Sequence, residues 1–368
     1  MKLSIYKKML KSKNIIFSAK KINHNYYDPE IKICTGQLGK LHDYYIRVKI
    51  LSLSICGTDL HLLDTHTDGC VLCSAPFSVG PNGRILGHEG IGEVLDVGQN
   101  ASNIKIGMIV CFTSILKCNQ CVPCLNGNFN QCINSKLLGM EIDGLFGEIV
   151  DIPSELVYDI SDLVNYDKSA MTYGVCIEPV SVSFIGLTNS IPRGGESILI
   201  IGTGPLGCYT AMLAKSVFGF SEITIIEPIE IRRQIIKKYV KNVFYNINEL
   251  LESSLQFDVL VDTSGVLTCI NKIIHTMKPC ARIILLARKG ESLVIDAVDY
   301  LITNSIKIIG SRGHLGGAFR RVIDLQINRI IDMQEIISYV GNGIFDLKDK
   351  LLNKSFIENE NCKLVFQI

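Results

Sequence analysis

Apolar and polar positions follow two different patterns along this chain of 368 residues. From about Asn14 to Ser183, short stretches rich in valine and isoleucine, such as YYIRVKILSL and GEIVDIP, are separated by glycine, asparagine and aspartate. Such stretches are typical of strands separated by turns. This part of the chain therefore predicts a strand-rich domain.

From Glu196 to about Gly310 the apolar stretches become continuous and alternate with helical segments. The predicted strands are SILIIG, EITIIE, FDVLVDTSG and RIILLA, and the predicted helices lie at Ala211–Phe218 and Ile229–Tyr239. This alternation favours βαβ units on a parallel sheet. After Phe319 the chain has a helical stretch, RRVIDLQI, and then mixed segments.

Composition and charge exclude several classes of protein. With 37 basic and 36 acidic residues the chain has no global field for nucleic acid or an anionic membrane. The longest apolar run, Ile198–Phe220, has the length of a membrane span, but Lys215 and four glycines interrupt it, and we predict a soluble protein. The N-terminus carries lysines throughout and lacks the apolar segment of a secretory signal, which predicts a cytoplasmic location. Because disulfides are rare there, clusters among the fourteen cysteines are expected to bind metal.

The most specific cluster is KCNQCVPCLNGNFNQC, with Cys118, Cys121, Cys124 and Cys132. Thiolates two residues apart on a tight turn meet one tetrahedral ion, and the fourth thiolate closes the shell. The spacing predicts a structural zinc that braces a loop. The alternative is a set of four reduced surface thiols.

A second set combines Cys56, in ICGTDLHLL, with His88 and Glu89, in ILGHEGIGEVLDVG. Each residue alone is weak evidence, because cysteine is common in cores and a single histidine is more often structural than a ligand. Together they offer a thiolate, an imidazole and a carboxylate, a set that suits zinc with an open position. An open zinc site polarises an oxygen and lowers the pKa of a bound hydroxyl.

A third motif, IGTGPLG, follows the strand SILII and opens a predicted helix. Its Gly202, Gly204 and Gly207 allow the backbone, together with Pro205 and Leu206, to approach a pyrophosphate at a helix N-terminus. The alternative is an ordinary glycine-rich turn.

The choice of cofactor depends on an acidic residue at the end of the next strand. Glu227 is placed to accept hydrogen bonds from a ribose and would repel a 2′-phosphate, which favours NAD. Arg232 and Arg233 could restore NADP binding. We prefer NAD, because arginines on the following helix often face water.

By these motifs and their order along the chain, the protein resembles the zinc-dependent medium-chain dehydrogenases, over roughly residues 14 to 345. The pair His88-Glu89 and the motif Ile177-Glu178-Pro179 are similar to those of the branch that acts on polyols, 2,3-butanediol, threonine and glucose. The resemblance implies an α/β protein with a GroES-like, β-rich catalytic domain at residues 1–185, to which residues 312–368 return. It places a Rossmann domain, a doubly wound parallel sheet, at residues 186–311. It also implies a homotetramer or homodimer.

The resemblance also implies roles for individual residues. Cys56 and His88 match the catalytic zinc ligands, and Glu89 matches a carboxylate that is a ligand or lies near one. Glu178 matches a second carboxylate, which in relatives binds the metal directly or through water. The alternative for Glu178 is a buried salt-bridge partner.

Two further residues match the family's proton path. Thr58 corresponds to the hydroxyl that receives the substrate proton, and His61 to the histidine that relays it to solvent. The alternative for His61 is an ordinary surface histidine.

Other residues depart from the family pattern. The long loop between the first two ligands contains Cys70 and Cys73, and we interpret it as a wall of the substrate pocket, with an additional metal or redox role as the alternative. Arg312 and His314 are placed either against the nicotinamide or substrate, or in solvent.

The sequence therefore predicts a zinc enzyme that transfers hydride between a secondary alcohol and NAD, with NADP as the alternative cofactor. Polyols, cyclitols, sugars and diols all qualify as the small-molecule substrate. Threonine dehydrogenase, glucose dehydrogenase and a non-catalytic zinc-binding protein remain as alternatives.

Overall fold

The computed structural model describes residues 10–22, 25–65, 79, 82–289 and 291–368. The chain forms two compact units. The catalytic unit, named for the predicted zinc ligands that it contains, comprises Met1–Glu178, Val340–Lys354 and Leu364–Ile368. The dinucleotide unit, named for its glycine motif, comprises Pro179–Tyr339 and Ser355–Lys363.

The described residues form strands and helices over most of their length. The strands are β1 (Lys11–Ile22), β2 (Asn25–Gln37), β3 (Tyr45–Ser54), β4 (Arg84–Ile85), β5 (Glu89–Val97), β6 (Ile109–Phe112), β7 (Ile115–Leu116), β8 (Lys136–Leu137), β9 (Ile149–Pro153), β10 (Val157–Asp159), β11 (Ser197–Ile201), β12 (Glu222–Ile226), β13 (Asn242–Phe244), β14 (Phe257–Asp262), β15 (Met277–Leu285), β16 (Lys307–Gly310), β17 (Ile337–Asn342) and β18 (Lys363–Gln367). The α-helices are α1 (Gly57–His61), α2 (Val122–Leu125), α3 (Ser161–Tyr166), α4 (Ala170–Tyr173), α5 (Ile177–Asn189), α6 (Pro205–Ser216), α7 (Glu230–Ile236), α8 (Ile247–Glu252), α9 (Thr268–Ile273), α10 (Val298–Thr303), α11 (Gly316–Ile327), α12 (Gly343–Leu352) and α13 (Lys354–Glu360). Short 3₁₀ turns are Phe129–Gln131, Ser154–Leu156, Gly174–Cys176, Lys237–Tyr239, Ile274–Thr276 and Met333–Ile336.

The catalytic unit is built on a mainly antiparallel sheet. Its strands lie in the order β10-β6-β5-β3-β18-β17, and β9 also pairs with β3. Strands β3 and β5 have largely buried side chains, because they lie inside the sheet and not at its edge. A smaller sheet has the order β2-β1-β4, and β7 pairs with β8 in a two-stranded ribbon. The predicted strand-rich domain is confirmed.

The dinucleotide unit contains a parallel sheet with the order β13-β12-β11-β14-β15-β16. Numbered from its first strand, this order is 3-2-1-4-5-6, the doubly wound arrangement of dinucleotide-binding proteins. Its core includes Leu199, Ile226, Leu260 and Ile283, one from each of four neighbouring strands. These side chains come from the continuous apolar stretches in the sequence, which is what burial on both faces of a sheet requires. The predicted Rossmann fold is confirmed.

The apolar run Ile198–Phe220 is not a single span, since it comprises most of strand β11, the glycine turn and helix α6. A different segment, the helical stretch Ala170–Asn189, is long and apolar enough to cross a membrane by length and composition. Its apolar window is 83% buried inside the structure, as expected for a core helix. A span of this kind is weak evidence of a membrane segment.

Several element limits differ from the sequence predictions. The first predicted helix begins earlier, at Pro205, because the glycine turn itself opens the helix. Residues 312–339 pack with the dinucleotide unit, where Met333–Ile336 contacts α6 and α7, and the chain returns to the catalytic unit at Val340. The domain limits at residues 185 and 311 stay predictions.

Candidate active site and metal centres

The central cluster of the catalytic unit brings together Cys56, His88 and Glu89. Cys56 caps the N-terminus of α1, directly after β3, while His88 and Glu89 lie at the start of β5. Antiparallel pairing of β3 with β5 sets Ser54 opposite Glu89 and so carries the three side chains to one end of the sheet. One ligand atom from each residue lies within 4.8 Å of the other two. Residues more than thirty positions apart in sequence therefore form one cluster.

Two buried side chains that the sequence analysis did not identify hold this cluster in place. Asp59 is 2% exposed, accepts a hydrogen bond from the backbone N–H of Cys56 at 2.9 Å, and has its other oxygen 3.9 Å from His88 Nδ1. The hydroxyl of Ser54 donates a hydrogen bond to the Glu89 carboxylate. In the sequence, only their positions on either side of Cys56, in SICGTD, could have indicated this role.

Glu178 lies in the first turn of α5 and is also buried, at 7% exposure. Its Oε1 accepts a hydrogen bond from the hydroxyl of Ser114 at 3.0 Å. In the part of the chain that the structure describes, Glu178 does not belong to the group of ligand atoms within 4.8 Å of one another. Its charge nevertheless contributes to a raised pKa of His88.

The electrostatics of the cluster match the needs of a cation. Burial and the neighbouring Glu89 carboxylate raise the pKa of the Cys56 thiol, and His88 opposes this shift only in part. Burial lowers the pKa of His88, but Cys56, Asp59 and Glu178 outweigh it, so that the pKa is raised well above its ordinary value. The site thus holds more negative donor charge than the protein itself compensates. A bound divalent cation would balance this negative charge and favour the deprotonated thiol. The donor set therefore fits zinc.

The two predicted proton-path residues lie on helix α1. Thr58 Oγ1 is 3.7 Å from the Cys56 sulfur, which places a hydroxyl beside the ligand cluster. His61 ends the same helix and is half-buried. The structure therefore places one hydroxyl next to the cluster and one imidazole one turn further along the helix.

The four lobe cysteines, Cys118, Cys121, Cys124 and Cys132, form a second cluster, with their sulfur atoms within 4.8 Å of one another. Cys121 and Cys124 lie on either side of the start of α2, and Cys132 follows the 3₁₀ turn Phe129–Gln131. The backbone N–H of Gln120 lowers the pKa of Cys118 to about 6, while burial raises the pKa of Cys124 to about 12. Four sulfur donors around one point fit a closed tetrahedral zinc site.

The glycine motif of the dinucleotide unit lies between β11 and α6. Gly202 has φ +82°, a value that favours glycine, and Gly204 caps the helix. A Cβ atom at Gly207 would lie 2.1 Å from the carbonyl oxygen of Gly202, so no larger residue fits without a shift. Pro205 occupies the first helical position, where its missing N–H costs nothing, and Leu206 follows it. This turn fits the pyrophosphate of a dinucleotide at a helix N-terminus.

Glu227 follows β12, as predicted, but the protein itself already holds its carboxylate. The carboxylate is 2% exposed, and it accepts hydrogen bonds from the backbone and hydroxyl of Thr203 and from the backbone N–H of Ile229. This arrangement joins the acidic residue to the glycine turn that contains Thr203. Contact with a ribose stays a prediction.

The expectation that the two arginines face water is wrong. Arg233 is buried, donates to the carbonyl oxygens of Glu227 and Pro228, and lies over the ring of Tyr245 at 3.8 Å. Arg232 donates to the carbonyl oxygens of Asn361 and Ile357. Both guanidinium groups thus donate hydrogen bonds to backbone carbonyl oxygens. The charge of an arginine in the sequence does not reveal this role.

The remaining predicted residues lie elsewhere. Cys70 and Cys73 lie outside the described residues. His314 is 4% exposed and contacts the ring of Phe319, so it does not face solvent. Arg312 is half-buried and contributes, after burial, to a lowered pKa of Arg288.

Comparison with known proteins shows which proteins the chain resembles. The family model of the alcohol dehydrogenase GroES-like domain matches residues 42–162. An L-threonine 3-dehydrogenase of Pyrococcus horikoshii is 27% identical over 307 residues, which are 81% of this chain and 84% of that protein. In both comparisons the chain is similar to dehydrogenases of the kind that its motifs resemble, the zinc-dependent medium-chain dehydrogenases.

Other dehydrogenases are similar to the chain over a comparable length. A sorbitol dehydrogenase of Bacillus subtilis is 24% identical over 84% of this chain and 86% of that protein. The crystal structure of an alcohol dehydrogenase from Escherichia coli in complex with NADH has a TM-score of 0.81 and 20% identity, and the match covers 97% of this chain and 99% of that chain. At this identity the structural likeness shows the fold, and it extends over both compact units.

Proposed function

We propose that this protein is an oxidoreductase that transfers hydride between a secondary alcohol and a nicotinamide dinucleotide. The substrate class is a polyol, cyclitol, sugar or diol. The observation that carries the proposal is the buried cluster of Cys56, His88 and Glu89, a mixed donor set in a chain that also contains a dinucleotide turn. A purely structural metal site would not need three different donor types beside a further buried carboxylate.

Cys56, His88 and Glu89 would hold the catalytic zinc, with Glu178 as a second carboxylate that can reach the metal directly or through water. When bound, a zinc ion there supplies Lewis acidity, which polarises a substrate hydroxyl and lowers its pKa. Asp59 lies beside Nδ1 of His88 and orients the neutral imidazole towards the metal, as carboxylates beside metal-binding histidines do. Burial of the three carboxylates and of His88 limits the access of water, while Cys56 is partly exposed.

Proton transfer follows the groups of helix α1. The Thr58 hydroxyl would accept the proton of the substrate hydroxyl as it gives up its own towards His61, and His61 would release a proton to solvent from the helix end. An imidazole suits this relay because its ordinary pKa lies near neutrality. The two carboxylates would accept hydrogen bonds from a hydroxyl on the neighbouring carbon of the substrate, which favours vicinal diols.

The dinucleotide binds at the turn Gly202–Gly207, with its pyrophosphate at the N-terminus of α6. Pro205 and Leu206 shape the first turn of the helix, and Glu227 accepts hydrogen bonds from the ribose, since a carboxylate oxygen can accept more than one. We prefer NAD because Glu227 would repel a 2′-phosphate. Arg232 lies 3.9 Å from the position of a Cβ at Gly204, so it is a candidate contact for the dinucleotide phosphates.

The lobe cysteines would hold a structural zinc. We also propose a homodimer or homotetramer, which is supported by the exposed apolar side chains of Val294, Val298 and Ile302 in the segment that precedes the edge strand β16 in sequence. The proposed location is the cytoplasm, where the cysteines of both clusters stay reduced.

The test is metal analysis combined with reduction of NAD or NADP by a panel of alcohols that includes sorbitol, inositols, 2,3-butanediol and threonine. We expect two zinc ions per chain and turnover with at least one vicinal diol or polyol that stops when the catalytic zinc is removed. Turnover that survives complete zinc removal would rule the mechanism out. Zinc in the lobe alone, without turnover, would favour the non-catalytic alternative.

Threonine is the competing substrate, because a threonine dehydrogenase is among the relatives. Its ammonium and carboxylate groups require charged partners, so strong preference for threonine over its deaminated analogue would assign that specificity. Equal or better rates with uncharged diols would support the polyol assignment.

A further inference from the structure

Each of the two buried carboxylates near the ligand cluster accepts a hydrogen bond from a serine hydroxyl. Ser54 donates to Glu89, and Ser114 donates to Glu178. Ser54 and Glu89 are direct cross-strand partners on β3 and β5, so regular sheet pairing fixes their geometry. Ser114 instead lies in the turn between β6 and β7, and Glu178 in a helical turn. Tertiary structure, and not strand pairing, therefore brings the second pair together.

The two carboxylates also differ in their relation to the ligand atoms. Glu89 belongs to the group within 4.8 Å of one another; among the described residues Glu178 does not, although its charge acts on His88. Ser114 and Glu178 are 8% and 7% exposed, so water does not readily replace the hydroxyl. In such surroundings a hydrogen bond of 3.0 Å strongly biases the rotamer of the carboxylate.

The position of Ser114 is itself fixed by the base of the cysteine lobe. Its carbonyl oxygen accepts a hydrogen bond from the backbone N–H of Leu138 at 2.9 Å. In the next two residues, Ile115 pairs with Leu137 and Leu116 with Lys136, and all four lobe cysteines lie between these two strands. The rigid lobe thus anchors the hydroxyl that contacts Glu178.

We propose that Ser114 is a positioning residue that holds Glu178 beside the catalytic ligand set and not within it, and so reserves one metal position for substrate. This inference rests on the proposed function, because it requires a metal at Cys56, His88 and Glu89. It assigns to Ser114 a role that neither metal-ligand spacing nor charge indicates.

The test is the variant Ser114→Ala in the complete protein, with cobalt(II) substituted for the catalytic zinc. Without the hydroxyl, Glu178 loses the hydrogen bond that biases its rotamer, and we expect it to enter the ligand set more often. We expect release of the catalytic metal to a chelator to slow ~5–10-fold, and the visible cobalt absorption to weaken as coordination number rises. We expect kcat/KM to fall ~10-fold, because substrate must then displace the carboxylate.

Three matched variants separate positioning from a general packing defect. Ser114→Thr keeps a hydroxyl and should restore the metal-release rate to within about twofold of wild type. The double variant Ser114→Ala/Glu178→Gln should release metal at the rate of Glu178→Gln alone, because the serine acts through the carboxylate. Ser52→Ala is the control, since Ser52 is also buried but its hydroxyl donates to the carbonyl of Met171 at 2.7 Å.

The sign of the change in release rate decides the outcome. Slower release in Ser114→Ala that disappears in the double variant supports the proposal. Unchanged or faster release, with an unchanged cobalt spectrum, overturns it, and release altered equally by Ser52→Ala also overturns it. Failure of the proposed function looks different, because the wild-type protein would then hold no catalytic metal or reduce no dinucleotide.

Discussion

The two compact units assemble their candidate sites in opposite ways. In the catalytic unit, Cys56, His88 and Glu178 come from three distant parts of the chain, and strand pairing and a helix start bring them near one another. In the dinucleotide unit, the turn Gly202–Gly207 and Glu227 belong to one βαβ segment. A site made of distant residues depends on the whole sheet, whereas a site made of neighbours depends on local backbone conformation. The two sites should therefore fail separately.

The largest expected effect comes from Cys56→Ser in the catalytic unit. A serine hydroxyl is a poor zinc ligand, and loss of the Lewis acid should lower kcat/KM at least ~10³-fold, which corresponds to about 4 kcal/mol. Zinc should fall from two ions per chain to one, while NADH binding, followed by fluorescence, stays unchanged. Cys34→Ser, at an exposed cysteine on β2, is the matched control. Full activity or loss of NADH affinity in Cys56→Ser would contradict the separation of the two sites.

The complementary change is Gly207→Ala in the dinucleotide unit. Its Cβ would lie 2.1 Å from Gly202 O and 2.7 Å from Thr263 Oγ1, so the turn must open. We expect NADH to bind ~100-fold more weakly, or about 2.7 kcal/mol, with zinc content unchanged. Gly194→Ala is the control, because a Cβ there meets no atom within 4 Å. Normal NADH affinity in Gly207→Ala would mean that this turn does not contact the dinucleotide.

This contrast also explains what could be predicted from the sequence. The Rossmann sheet, the glycine turn and the lobe cysteines were predictable, because each depends on residues close in sequence and on strict spacing. The grouping of Cys56 with His88 was predicted from the donor types and the family resemblance, and the sheet register that brings them together became visible only in the structure.

The residues that support the site were not predictable. Asp59, Ser54 and Ser114 act through hydrogen bonds whose partners are chosen by tertiary structure, and serine or aspartate at a strand end or turn has many other uses. The roles of Arg232 and Arg233 were missed for the same reason. Every residue has a backbone carbonyl oxygen, so the sequence does not show which of them will accept a hydrogen bond.

A smaller effect is expected from Asp59→Asn, which tests whether a supporting residue belongs to the distant-residue site. The amide keeps the shape but loses the charge that faces His88, so the catalytic metal should be retained ~10–100-fold less well. Chelator-driven metal release measures this directly. Asp64→Asn is the control, because Asp64 pairs with Lys354 on the same unit and is partly exposed. If both variants released the metal at the same rate, the effect of Asp59→Asn would come from the general loss of a negative charge and not from its position beside His88.

The smallest effect concerns the framework of the dinucleotide unit, away from its turn. Arg282 donates two hydrogen bonds to Glu196, at 2.9 and 2.6 Å, and both side chains are largely buried. Burial raises the pKa of Glu196, but Arg282 and the backbone N–H of Arg193 outweigh it, so the pKa is lowered overall. A lowered pKa means that the pair stabilises the fold above the ordinary glutamate pKa, and that this contribution is lost as pH falls through the lowered value.

Glu196→Gln should therefore lower the free energy of unfolding by about 1–2 kcal/mol at pH 7, as measured in urea, and the difference from wild type should shrink below about pH 4. Glu222→Gln is the control, because its partner Lys241 is well exposed and such pairs contribute less than about 1 kcal/mol. NADH affinity and metal content should not change in either variant. If Glu196→Gln weakened NADH binding as strongly as Gly207→Ala, the dinucleotide site would depend on its whole sheet, and the contrast between a distant and a local site would fail.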